Sequence, residues 1–139
     1  METELDYEFT ITPCGPYLHV NVQGLGTYDA AIDVWRQIVK ACEENQCYNI
    51  LGEQYLFSTI STLEALDYPA LFKKVGITKK HRIAWVDKNP RTREMTEFIR
   101  DVLTNRLIGK GRLFYDVETA KRWLLYQIKK DETAASASS

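Results

Sequence analysis

The chain of 139 residues is short of the groups on which most recognisable chemistry rests. It has three cysteines and two histidines. Cys14, Cys42 and Cys47 are odd in number and form neither a CxxC pair nor zinc-ligand spacing, so neither a redox pair nor a metal site is expected. Cys42 falls on the apolar side of an expected helix, where a thiol acts as a small hydrophobe. His19 and His81 have no nucleophile–base constellation around them; packing or surface roles are expected and no catalytic residue is assigned. A Walker A sequence is absent. "GLGTYD" follows a strand-like run and opens a helical one, as a dinucleotide fingerprint would, but Asp29 stands where the third glycine belongs. Its carboxylate suits a helix N-terminus and repels a pyrophosphate, so no cofactor is expected. No apolar run approaches the ~20 residues that span a bilayer. The start "METELDYE" has neither the basic region nor the apolar core of a signal peptide, which makes a cytoplasmic protein the expectation.

What is present suits one soluble domain: 45% hydrophobic and 27% charged residues, with enough chain to bury a substantial core. The net charge of −1 conceals an asymmetry. Residues 1–72 carry Arg36 and Lys40 against eleven acidic residues, a balance of −9; residues 73–139 carry sixteen basic against eight acidic, a balance of +8. Such a split suits an anionic partner or membrane surface at the basic half, or weak homo-oligomerisation. The densest basic stretch, "KKVGITKKHR", lacks the interleaved aromatics of single-strand nucleic-acid binders. With a pI near 6.1, no nucleic-acid partner is expected.

"YEFTITP" and "YLHVNVQG" flank the turn signal "PCGP" and predict a hairpin over residues 7–23. From Thr27, the spacing of Tyr28, Ala31, Ile32, Trp35, Ile38, Val39 and Cys42 predicts a helix. "YNILGEQ" is a short strand. Leu63, Leu66, Ala70, Leu71 and Val75 mark a second helix, broken or kinked at Pro69 and ended by Gly76. "HRIAWVD" is the next strand. Asn89 is the expected cap, and Pro90 the first turn, of a third helix with Met95, Phe98, Ile99, Val102, Leu103, Arg106 and Leu107 along one stripe. "GRLFYD" is the last strand, and Asp116 caps a final helix with Ala120, Trp123, Leu124 and Ile128 inward. Residues 1–6 and the tail 131–139 are expected to be disordered around a single domain at 7–130. The order β-β-α-β-α-β-α-β-α predicts an α/β fold: a mostly parallel five-stranded sheet, its first strand antiparallel through the hairpin, with four helices.

The stretches "DYPALFKKVG", "RIAWVDKNP", "TEFIRDVLTNR" and "GRLFYDVETAKRWLL" carry a resemblance. The chain resembles STAS domains and is most similar to the bacterial SpoIIAA-like proteins grouped with STAS and SEC14-type domains. The resemblance implies strands side by side in chain order. It also implies a non-catalytic regulatory or protein-interaction module, with a carrier or sensor of a small apolar or lipid-like ligand as the alternative. In the SEC14 branch a mobile helix covers a lipid-sized cavity. That implies a candidate lid here with Phe98, Val102 and Arg106, although a packed core helix explains the stripe without a ligand.

Two further sets of residues follow. SpoIIAA-type antagonists are phosphorylated on a serine at the start of the second helix. The corresponding "FSTISTLEAL" offers Ser58, Thr59 and Ser61 as a candidate switch or binding loop, without the family's preceding Asp and following Gly. Ser61 and Glu64 also have capping-box spacing, which accounts for the serine structurally. Ligands of parallel α/β sheets gather beyond the carboxyl ends of the strands, which points to Glu53, Gln54, Asp87, Asn89 and Asp116 as a candidate ligand site.

Overall fold

The computed structural model describes residues 6–106 and 108–138. The expected disordered start, save Asp6, and Leu107 of the apolar stripe lie outside the described residues. Strand β1 (Tyr7–Pro13) turns through Gly15, whose φ of 74° favours glycine, into β2 (Leu18–Gly24). Helix α1 (Tyr28–Asn45) follows, capped by the Thr27 side chain on the Ala30 N–H at 3.1 Å. Then come β3 (Asn49–Leu56), α2 (Thr62–Leu66), α3 (Tyr68–Val75), β4 (Arg82–Asp87), α4 (Arg93–Asn105), β5 (Lys110–Phe114) and α5 (Val117–Ser138).

The five strands lie in the order β1-β2-β3-β4-β5, with β1 antiparallel to β2 and the remaining pairs parallel. The expected mostly parallel sheet is therefore present. Parallel crossovers share one hand, so a sheet that always steps the same way carries its connecting helices on one face. Val20, Val22, Ile50 and Ile83 meet Val34, Trp35, Ile38 and Phe72 of α1 and α3 there. Helix α5, which follows the last strand of the sheet, covers the other face. Its Ala120 and Leu124 pack on Leu51, Ala84, Val86 and Phe114.

Three local expectations are corrected. The break expected at Pro69 is present and divides the region into two helices, so five helices stand where four are expected. Pro69 sits in the first turn of α3, where its missing N–H costs nothing, and α2 is left as five residues with Leu63 79% and Leu66 51% exposed. Helix α4 begins at Arg93, with Thr92 rather than Asn89 at its N-cap. The Asn89 side chain instead closes a turn on the Arg91 N–H and donates to the Leu56 carbonyl at 2.7 Å. Finally, α5 runs on to Ser138 where a disordered tail is expected. Its Asp131 meets the nearly buried Arg82 at 2.5 Å, and the following alanines favour the helix.

Candidate ligand cavity

Between the sheet and α1, α3 and α4 lies a cavity of about 360 Å³. Its body is apolar, with Trp35, Phe72, Ile83, Trp85, Leu103 and Leu113 among its walls. Gly52 explains how a tryptophan fits in the middle of the sheet. A Cβ on Gly52 would stand 2.2 Å from the Trp85 ring, so the bare backbone of β3 is what lets the indole lie flat over it. Trp85 then packs on Trp35 (centroids 4.9 Å apart), and Trp35 on Phe72 (4.7 Å). Toward the sheet edge the cavity stays open over Gly111, where an added Cβ would meet nothing nearer than 3.6 Å.

The roof is α4. This helix is strongly amphipathic, yet none of its residues is fully buried. Met95, Ile99 and Leu103 face the cavity. Of the expected lid residues, Phe98 and Val102 are half-buried outside the lining, and Arg106 is an exposed residue at the helix C-terminus. The i, i+4, i+8 row from Met95 forms the inner surface, one step round the helix from the row expected.

One end of the cavity is polar. The Trp85 indole N–H donates to Gln54 Oε1 at 2.9 Å, and Gln54 Nε2 reaches Thr96 Oγ1 at 3.4 Å. Thr96 Oγ1 donates to Asp87 Oδ2 at 2.6 Å, Thr92 Oγ1 to the same carboxylate at 2.8 Å, and the Asn89 N–H to Asp87 Oδ1 at 3.0 Å. Asp87 is completely buried and held by these donors, and among the described residues no basic side chain bonds to it. Thr92 and Thr96 are absent from the residues expected from sequence. Their i, i+4 spacing behind an aspartate at a strand end is the signal that could have found them.

The other candidates separate by strand alternation. Gln54 and Asp87 belong to the cavity side, whereas Glu53 points to the α5 side, because neighbouring residues of a strand face opposite ways. There Glu53 is clasped by His19 Nε2 at 2.6 Å and Lys88 Nζ at 2.9 Å. Burial pushes its carboxyl pKa up, but the hydrogen bonds from Lys88 and His19 outweigh that and hold it below the ordinary value. Asp116 is exposed and caps α5 through the Thr119 N–H at 2.9 Å, as expected. Ser58 and Thr59 line the cavity rim, and Ser58 Oγ accepts from the Gly26 N–H at 3.0 Å, tying two loops together. Ser61 makes the full capping box: its Oγ accepts from the Glu64 N–H at 3.2 Å, and its own N–H donates to Glu64 Oε1 at 2.9 Å.

Cys42 is fully buried, and burial pushes its thiol up to about 12, which makes it a core residue. His81 is fully buried too. The Thr78 N–H donates to its Nδ1 at 3.0 Å, which leaves the proton on an Nε2 that has no partner, and burial pushes its pKa down. Among the described residues no group of three metal-ligating side chains occurs, and no helix is long and apolar enough to cross a membrane.

No family model matches this chain, and no curated protein matches it. Among solved structures it is similar to an uncharacterized protein of the DUF3478 family from Shewanella loihica, described as having a SpoIIAA-like fold. The two share 18% identity with a TM-score of 0.47, over 89% of this chain and 98% of the other. The likeness is one of fold alone.

Proposed function

We propose that this chain is a non-catalytic binding module that holds a small apolar or amphipathic molecule in the cavity beneath α4. One observation carries the reading: an amphipathic helix of thirteen residues has no fully buried residue, because its apolar face lies over open space. A helix whose face is meant for the core normally buries it. The cavity falls within the roughly 300–1,000 Å³ of small-molecule sites, and its apolar walls with a few convergent polar groups match their composition. Native mass spectrometry of the protein purified from its source tests this. A retained small molecule, released by organic solvent, is expected. Failure of every apolar probe to bind the apo protein would refute it.

A second reading, docking of a protein partner, is favoured by Phe57, Leu63 and Leu66, which are 71%, 79% and 51% exposed around α2. Exposed apolar groups gathered in one region mark interaction surfaces more often than scattered ones do. The two readings combine naturally, since α2 packs against α4, the roof of the cavity. A filled cavity would then be sensed at the docking surface, as in a regulatory module.

A further inference from the structure

The polar end of the cavity has a definite hydrogen-bonding polarity, and it restricts the ligand. Resting on the cavity reading above, we infer that the site takes an amphiphile with an uncharged hydroxyl head and rejects the matching carboxylate. The direction of each hydrogen bond follows from groups that have no choice. An indole N–H can only donate, so the Gln54 atom 2.9 Å from Trp85 Nε1 is the oxygen, and the amide NH₂ must point toward Thr96. A carboxylate can only accept, so both threonine hydroxyls that reach Asp87 spend their single hydrogen inward. The alternative acceptors near these hydroxyls, the Asn89 and Thr92 carbonyls, lie inward as well.

Thr92 and Thr96 therefore offer only lone pairs to a ligand. Gln54 keeps one N–H beyond the one it gives Thr96. A hydroxyl head meets this arrangement: its O–H donates to a threonine oxygen while its own oxygen accepts from Gln54. A carboxylate could accept from Gln54 but would set its oxygens against threonine lone pairs, with the buried Asp87 charge directly behind them. Among the described residues no basic side chain bonds to Asp87. Of the basic residues lining the cavity, Arg100 is exposed and turned to Asp101 at 2.9 Å, and Lys110 and Arg112 are exposed residues of β5 that alternate with Gly111 and Leu113 on the cavity side. The dipole of α4 does not rescue an anion either, because Asp87 already occupies the first turn through Thr92 and Thr96.

The test compares 1-octanol with octanoate on the full chain at pH 7.5 and constant ionic strength, read by the fluorescence of Trp35 and Trp85 in the cavity wall. The alcohol should bind about tenfold tighter or more, the cost of leaving a buried polar group without its partner. An alcohol also partitions better into any apolar site, so variants decide the cause. Thr96→Val keeps the shape and removes the acceptor; it should lose most of the preference, and Thr96→Ser should restore it. Thr92→Val, which removes the other lone-pair acceptor, gives an independent variant should Thr96→Val fail to fold. Equal or tighter octanoate binding would overturn the inference, as would a preference unchanged in Thr96→Val and Thr92→Val. Binding of neither probe would instead overturn the cavity reading itself.

Discussion

If the space beneath α4 is real, filling it from the sheet should strengthen the fold and weaken ligand binding together. Gly111 is the place to do so. It lies on the edge strand β5 opposite Ile83, on the cavity side, its φ lies outside the left-handed region, and an added Cβ would meet only ordinary contacts at 3.6 and 3.9 Å. Gly111→Val adds three carbons. At about 0.8 kcal/mol per buried methylene they would contribute roughly 2.4 kcal/mol if fully buried, and about half of that on an exposed edge strand. Removing a glycine from the unfolded chain adds about 0.4–1 kcal/mol. A gain of roughly 1–2 kcal/mol is therefore expected, and a β-branched residue also suits a strand. The urea midpoint measures it, and fluorescence titration with 1-octanol on the same samples should show about tenfold weaker binding, equivalent to 1.4 kcal/mol of lost contact. Loss of stability would mean that the space is already filled. Gained stability with unchanged affinity would mean that the ligand sits elsewhere.

Gly52→Ala should act in the opposite sense, because its Cβ would strike the Trp85 ring. Overpacking at about 1–3 kcal/mol plus the Trp85–Gln54 hydrogen bond at about 1 kcal/mol predicts a loss of about 2–4 kcal/mol, with a shifted tryptophan emission; a change under ~0.5 kcal/mol would contradict the packing described. Ser61→Ala should cost about 1 kcal/mol by removing half of the capping box, measured as a lower denaturant midpoint. His81 gives a pH dependence: its folded pKa lies below the unfolded one, so it is neutral in the fold and charges first in the unfolded chain. Its contribution is complete above the unfolded value of about 6.5 and is lost as pH falls through the folded value. Stability should thus decline as pH falls below about 6.5, and His81→Phe should flatten that decline.

The elements with strong periodicity were legible from sequence: the hairpin, α1, the strands, and the caps at Ser61, Gly76 and Asp116. Each rests on local chemistry. The hairpin turn, the capping box and the glycine terminator act within a few residues, so one window of sequence contains both partners. What the sequence misplaced depends on three-dimensional neighbours. Leu63 and Leu66 have helical spacing, but a five-residue helix cannot turn both inward. Asn89 has the composition of a cap, yet Asp87 draws the Asn89 N–H and the Thr92 hydroxyl to itself and delays the helix. The strand-end set mixed Glu53 with Gln54, although alternation places adjacent residues on opposite faces. That error was avoidable from the two-residue period alone. The tail could not be read as helix because its anchor, Arg82, lies 49 residues earlier.

The central claim is that α4 roofs a cavity instead of packing in a core, and hydrogen exchange tests it most directly. The amides of 93–105 should exchange faster than those of 28–45, since little apolar burial holds α4 down and much holds α1. Saturating 1-octanol should slow exchange in α4 while leaving α1 unchanged. Equal, strong protection of both helices that no apolar ligand alters would show α4 to be an ordinary core helix and contradict the account.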